Sequence, residues 1–412
     1  MTIAPAPSLP AAITLDRATL DAVDGPLGIA VSGGGDSTAL AILLADSCRD
    51  RGLVILTVDH RLRAGSADDA AAVIELGARL DLPTESLAIE GGAKGSLQAW
   101  ARAERYRLLA EAARRLGLAA IVTGHTRDDQ AETLLLRLAR GSGLRGLGAM
   151  RPVARHSGTT ILRPLLGVSR EELRAFLLAR GHGWREDPSN ENPRFDRIAM
   201  RAIMPRLAAL GLTSTRLAES ASHLARASEV VDTLARRLCA DVMRMDQAGA
   251  LAIDRPAFAV AETEVRLRAL ADAIQRTGGL DHTPRFEALR RADAAIRAGG
   301  ASLTLGRARI LSEADIVRLW REDRGISPVA LGSGGRVTFD GRFTFSSRNG
   351  APDVVIAAIG TANARAVPTD AFRPAVATAP GIFQAGRLVA APTFGARLKS
   401  WDAGAFAFQR MR

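Results

Sequence analysis

The chain has 412 residues, enough for two or three domains, and 47% of them are hydrophobic, enough to bury full cores. The net charge is +11 and lysine occurs only at Lys94 and Lys399, so arginine carries the excess; guanidinium forks onto phosphate, which points to nucleic acid or another polyanion, unless the arginines are simply spread over solvated surfaces. The two cysteines, Cys48 and Cys239, lie outside any C-x-x-C, which excludes a disulfide framework and a zinc site, and no apolar run approaches membrane-spanning length, so a protein of a reducing compartment is expected.

Met1 to Ala12 has neither a positive n-region nor an apolar core, so no signal peptide is expected and the protein is read as cytoplasmic. Leu27 to Val31 reads as a buried parallel strand, and Thr38 to Leu44 as helix-compatible. Between them stands Ser32-Gly33-Gly34-Gly35-Asp36-Ser37. A strand that turns through glycines into a helix gathers backbone N–H groups and the positive end of the helix dipole at one point. Missing Cβ atoms let an anion approach closely, and Ser32, Ser37 and Thr38 can add hydroxyl donors. Asp36 would repel phosphate unless Mg²⁺ sits between them, since carboxylate and phosphate share that ion. The loop lacks the lysine and spacing of G-x-x-x-x-G-K-[ST] and is not G-x-G-x-x-G.

Leu53 to Val58 is a second strand ending in Asp59-His60, and Ser66 to Leu80 a helix with Ser66 as N-cap. Glu85 to Glu90 reads as a strand, Ser96 to Leu116 as a long amphipathic helix, Ala119 to Thr123 as a strand and Asp128 to Arg140 as a helix closed by Gly141. Gly141 to Gly148 is a glycine-rich loop, Ile161 to Leu165 a last strand, and Ser169 to Leu178 a helix capped by Ser169. The alternation predicts an α/β fold with a doubly wound parallel sheet, whose ligand sits beyond the carboxyl ends of the strands. Met204 to about Ala298 reads as helical, Ser302 to Trp320 as short strands, and Arg336 to Ser346 as a hairpin around Asp340-Gly341. Three domains are expected: residues 1–203 catalytic, 204–322 mainly helical, and 323–412 small and β-rich.

The strand tips hold the chemistry. Asp59 can take a nucleotide ribose and His60 can line an adenine pocket, or both can cap the strand end. The stretch Gly124-His125-Thr126-Arg127-Asp128-Asp129-Gln130-Ala131-Glu132-Thr133 puts carboxylates one turn apart on a helix face, able to bind a cationic amine or Mg²⁺ with Arg127 placed to offset phosphate charge, or else is simply an N-capped helix start whose acids complement the dipole. Gln98, Arg102 and Arg105 form a helical stripe that faces phosphates or solvent.

The order S-G-G-x-D-S resembles the pyrophosphate (PP) loop of the N-type ATP pyrophosphatases. Further pieces narrow the likeness: Val58-Asp59-His60-Arg61-Leu62-Arg63, the Arg102/Arg105-Tyr106 helix, Thr123-Gly124-His125 through Glu132-Thr133, Arg140-Gly141-Ser142-Gly143-Leu144-Arg145-Gly146-Leu147, Arg163-Pro164-Leu165-Leu166, and Glu186-Asp187-Pro188-Ser189-Asn190 followed by Arg197 and Arg201. Together they are similar to the tRNA(Ile)-lysidine synthetases over a little under half the chain. The resemblance implies adenylation by ATP of the C2 oxygen of the wobble cytidine in an isoleucine tRNA with anticodon CAU, then attack by the ε-amine of free L-lysine and loss of AMP. It implies that Ser32, Gly33, Gly34, Gly35, Asp36, Ser37, Asp59, His60, Gly124 and His125 bind ATP, with Mg²⁺ on Asp36. The residues suit that chemistry: by our own inference Asp36 and Arg127 serve it together with a carboxylate among Asp128, Asp129 and Glu132 that holds the lysine ammonium, and Arg102, Arg105, Arg145, Arg197 and Arg201 are expected to hold tRNA. A homodimer is left open as the assembly. A PP-loop thiolase or amidating enzyme is the alternative, disfavoured by the cysteine count, as is a non-catalytic tRNA-binding protein, disfavoured by the intact loop.

Overall fold

A computed structural model of the chain describes residues 13–61, 65–92, 97–185, 196–280, 282–397 and 405–411. Met1–Ala12, Leu62-Arg63, Lys94, the Glu186–Asn190 segment, Lys399 and the Gln98 side chain lie outside the described residues. The chain divides into two units, Met1–Ser228 and Glu229–Arg412. Among the described residues no helix is long and apolar enough to cross a membrane.

The first unit runs α1 (Arg17–Leu20), β1 (Leu27–Ala30), α2 (Gly35–Ser47), β2 (Leu53–Asp59), α3 (Ser66–Leu80), β3 (Thr84–Ala88), α4 (Leu97–Arg115), β4 (Ala120–Thr123), α5 (Arg127–Ala139), α6 (Leu144–Leu147), β5 (Val153–His156), β6 (Thr159–Leu162), α7 (Arg170–Ala179), α8 (Asp196–Ala209) and the start of α9 (Ser214–Val242). Its sheet has the order β3-β2-β1-β4-β6-β5. All pairs are parallel except β5 with β6. The expected doubly wound sheet is therefore present, with an antiparallel edge strand in the short, largely exposed run Val153–His156.

Alternation along the strands decides which helix lies on which face. Leu53 and Ile55 of β2 pack with α2, α3 and α7, while Val54, Leu56 and Val58 face Tyr106, Leu109, Ala112 and Ala113 of α4. The strand order turns between β1 and β4, so the crevice beyond their carboxyl ends is the switch point where such sheets take ligands. Gly124 sets the width of that crevice. A Cβ built on it would lie 2.9 Å from the Asp36 carbonyl oxygen and 3.1 Å from the Ser37 Cα, so only glycine lets the β4–α5 turn rest on the first turn of α2.

Two local expectations are corrected. Helix α2 starts at Gly35, not Thr38, because Gly34 is extended and its carbonyl already accepts from Thr38. Ser66 is the first helical residue of α3; Gly65 caps it with φ 90°, and the Ser66 hydroxyl instead bonds Asp59.

The second unit contains β7 (Met243–Met245), β8 (Leu251–Asp254), α10 (Arg255–Ala259), α11 (Thr263–Gly278), α12 (Phe286–Ala298), β9 (Ser302–Leu305), β10 (Ala308–Ser312) and β11 (Ile316–Arg321). The run read as wholly helical up to Ala298 is thus interrupted by β7 and β8, which join an antiparallel sheet of order β7-β8-β11-β10-β9 packed with α11 and α12. Two further antiparallel sheets follow, one of five strands that begins with β12 (Val329–Leu331) and one of three strands that holds the expected hairpin β13 (Arg336–Phe339) and β14 (Phe343–Ser347). Its turn has Asp340 at φ 49° and Gly341 at φ 65°, the left-handed pair a tight hairpin requires. The Asp340 carboxylate is buried between Arg321, at 2.9 Å through two nitrogens, and Arg342 at 2.8 Å.

Gly124→Ala should lower stability by about 1–3 kcal/mol, the usual cost of forcing extra volume into a packed contact, and should weaken nucleotide binding as well. Urea unfolding and nucleotide titration check both; unchanged values would contradict the close approach.

Candidate active site

The loop between β1 and α2 is held by one hydroxyl. Ser37 Oγ donates to the Gly34 carbonyl at 3.0 Å and accepts from the Ser32 amide at 3.1 Å, with Ser32 Oγ 3.3 Å away. Gly33 turns the chain at φ 82°. Among the described residues no acceptor meets the N–H groups of Gly34, Gly35, Asp36 and Ser37, the orphan donors of a helix start. With the dipole behind them they form an anion seat. Ser37 braces this seat, since its proton already points at Gly34. Trp184 covers the flank: a Cβ on Gly35 would meet its ring at 3.4 Å, and the Arg185 amide donates to the Gly33 carbonyl at 3.0 Å. A cleft of about 290 Å³ opens there, lined by Gly33, Thr38, Val73, Leu76, Trp184 and Arg185.

The opposite flank is acidic. Helix α5 begins with a capping box in which Asp129 Oδ2 accepts from the Thr126 amide at 2.9 Å and from its hydroxyl at 3.0 Å. One turn on, Glu132 is 1% exposed. Arg170, the first residue of α7, ties this face to the loop. Its Nη1 donates to Glu132 Oε1 at 2.6 Å, its Nη2 to Asp129 Oδ1, and its Nε to Asp36 Oδ2 at 3.4 Å, while its backbone amide donates to Asp128 Oδ2 at 2.8 Å. Arg201 adds a second cation, Nε to Glu132 Oε1 at 2.7 Å. Glu132 Oε2 is buried and has no hydrogen-bond partner among the described residues. Burial lifts the Asp36 carboxyl to about 6, although Arg170 pulls it down. Burial raises Asp129 too, but Arg170, the Thr126 amide and His125 outweigh it and hold that carboxyl below its usual range.

The predicted site residues fall into groups. Asp36, Asp128, Asp129 and Glu132 are brought together through Arg170, and Arg201, expected on tRNA, joins them. The Arg127 guanidinium is engaged elsewhere, on Glu172 at 3.2 Å and the Gly167 carbonyl at 3.2 Å. Asp59 ends β2 and accepts from the Arg61 amide at 2.9 Å. Burial works against its ionisation, yet the Ser66 hydroxyl and the Arg61 amide hold its carboxyl below the usual range. His60 stands next to it at the strand tip. Arg102 and Arg105 lie exposed on α4, Arg102 5.2 Å from the Tyr106 ring, which stacks on His156 at 4.1 Å. Arg197 reaches Thr133 Oγ1 at 3.3 Å, and Arg145 is exposed on α6.

Sequence reasoning passed over Arg170, Trp184 and Arg185. Arg170 carried a signal: a cation in the first turn of a helix opposes the dipole and needs a reason. Neither cysteine is placed for sulfur chemistry; Cys48 is buried at the far end of α2 from the loop, and Cys239 lies in α9.

His125 Nδ1 is 2.9 Å from Thr123 Oγ1. Burial pushes its imidazole down to about 3, with Arg163, Arg102 and Arg197 adding to the effect and Asp129 opposing it. The ring is therefore neutral at pH 7. Its NMR signals should not titrate between pH 5 and 8, and a midpoint near the ordinary 6.5 would contradict this environment. Because the unfolded chain takes the proton first, this residue removes stability as pH falls below 6.5.

A family model for the PP-loop domain matches residues 9–207. A tRNA(Ile)-lysidine synthase of Ruegeria pomeroyi is 39% identical over 377 residues, covering 90% of this chain and 88% of the relative. That of Rhizobium meliloti is 37% identical over 80% of this chain and 74% of the relative, and that of Bradyrhizobium diazoefficiens 42% identical over 67% and 80%. With the glycine seat and the acidic helix in place at the switch point, this likeness along nearly the whole length settles the family: the chain belongs to the tRNA(Ile)-lysidine synthases.

Proposed function

We propose that this protein ligates lysine to C2 of the wobble cytidine of an isoleucine tRNA with anticodon CAU, using ATP and releasing AMP and pyrophosphate. The observation that carries the reading is the pairing, across one crevice, of an anion seat with free amides and a helix face with a buried, half-partnered glutamate.

In the first step the C2 oxygen attacks the α-phosphorus and the bond to the β-phosphate oxygen breaks. The amides of Gly34 to Ser37 hold the leaving pyrophosphate where its charge develops. Among the described residues no three His, Cys, Asp or Glu side chains form a metal cage. One carboxylate, with phosphate oxygens and water, is how Mg²⁺ is commonly held, so Asp36 fits that ion, which when bound neutralises phosphate charge. In the second step the neutral ε-amine of free L-lysine attacks C2, and AMP leaves with the oxygen. Glu132 receives the ammonium and takes its proton: its Oε2 is a buried acceptor that meets no donor among the described residues, a costly state that an ammonium relieves.

The cytidine reaches this crevice by leaving its stack. Arg102, Arg105, Arg145 and Arg197 are placed to hold the phosphates around it, the Tyr106–His156 stack lying beside the first. Residues 204–322, in which the sheet β7-β8-β11-β10-β9 accompanies the helices, and residues 323–412 are proposed as a mainly helical tRNA-binding domain and a small β-rich one. The reading places the enzyme in the cytoplasm with its tRNA; a homodimer is one assembly, and light scattering of the purified protein reads it.

The purified protein with ATP, lysine and the CAU isoleucine tRNA should incorporate lysine and release AMP. A folded, ATP-binding protein that incorporates none sinks the reading, and turnover with a sulfur donor or ammonia in place of lysine would favour another PP-loop chemistry. Asp36→Asn should abolish turnover while leaving the circular dichroism spectrum intact. Glu132→Gln should raise the KM for lysine on the order of 10²-fold, the scale of losing a buried charge contact, with ATP affinity little changed.

A further inference from the structure

The Arg170 side chain touches both the loop acid and the acids of α5. Its three contacts are unequal. Those to Glu132 and Asp129 are short and reach carboxylates that are 1% and 9% exposed. That to Asp36 is 3.4 Å and reaches a carboxylate 28% exposed. A guanidinium presents donors on two edges in a rigid fork and can span such a set; an ammonium is a point charge and cannot. The Arg170 amide, held by Asp128, fixes the root of the side chain, so movement is left to the guanidinium end.

We propose that Arg170 is a positioning residue that couples the nucleotide half of the crevice to the amine half. This rests on the function proposed above. Nucleotide phosphates arriving at Gly34–Ser37 place negative charge beside the Nε edge of Arg170. The guanidinium shifts towards that charge and loosens its hold on Glu132 Oε1 and Asp129 Oδ1. Both carboxylates then meet an incoming ammonium with more of their charge uncompensated. Nucleotide therefore strengthens lysine binding, and by linkage lysine strengthens nucleotide binding by the same factor. The arrangement favours lysine entry only when there is a nucleotide to act with.

The test is calorimetric titration of L-lysine into the full-length protein, with and without Mg²⁺ and a non-cleavable α,β-methylene analogue of ATP. The wild-type protein should bind lysine about tenfold more tightly with the analogue present, within the usual range of coupling between sites. Arg170→Lys keeps a cation but cannot span both halves, and its ratio should fall to within about twofold of unity. Arg170→Ala should do the same, and circular dichroism identifies which variants are folded. A wild-type ratio near one, or a tenfold ratio retained in either folded variant, overturns the proposal. Lysine that fails to bind the wild-type protein under any condition tells instead against the proposed function.

Discussion

Everything in the first unit depends on how closely the β4–α5 turn can approach the start of α2. At Gly124 the backbones meet with no room for a side chain. That contact puts the amino end of α5, with Asp128, Asp129 and Glu132, next to the amino end of α2, with its free amides and Asp36. Two helix starts side by side would present only positive dipole ends. The acids of α5 turn one of them into a cation-binding face, and the glycines of the loop leave the other as an anion seat.

Crowding carboxylates in this way demands counter-charge. Breaking a buried pair costs about 3–5 kcal/mol because a lone charge is left behind, so the cluster needs its guanidiniums in place before any ligand arrives. Arg170 and Arg201 supply them from α7 and α8, elements far from α5 in sequence. The result is neutralised enough to fold and, among the described residues, still one donor short at Glu132 Oε2. A crevice with an anion seat at one side and a buried acidic face at the other suits a reaction that splits a polyphosphate to join an amine to a base.

The second unit shows the same economy in a different setting. Asp340 does two jobs in the hairpin β13–β14, taking a left-handed turn position and accepting from Arg321 and Arg342 in the interior. Burial pulls the Arg342 guanidinium down to about 10, and Asp340 works against that shift.

The alternation of apolar strands with helices, the glycine turn after β1, the capping box at Ser169 and the Asp340-Gly341 hairpin are local matters, and the sequence by itself determined them. Each depends on a period, a cap or a φ angle that neighbouring residues dictate. The acids of α5 were also legible, because i and i+3 share a helix face. Their charge partners were not. Arg170 reaches Asp36 across 134 positions and Arg201 reaches Glu132 across 69, and no periodicity encodes such a meeting. The antiparallel edge strand β5 and the strands β7 and β8 were likewise decided by tertiary structure, since their partners, not their own composition, supply the hydrogen bonds that make them strands. A carboxylate's place in the chain shows that it can carry charge; only the folded packing decides which cation it faces, because burial and Coulomb attraction act through space and not along the chain.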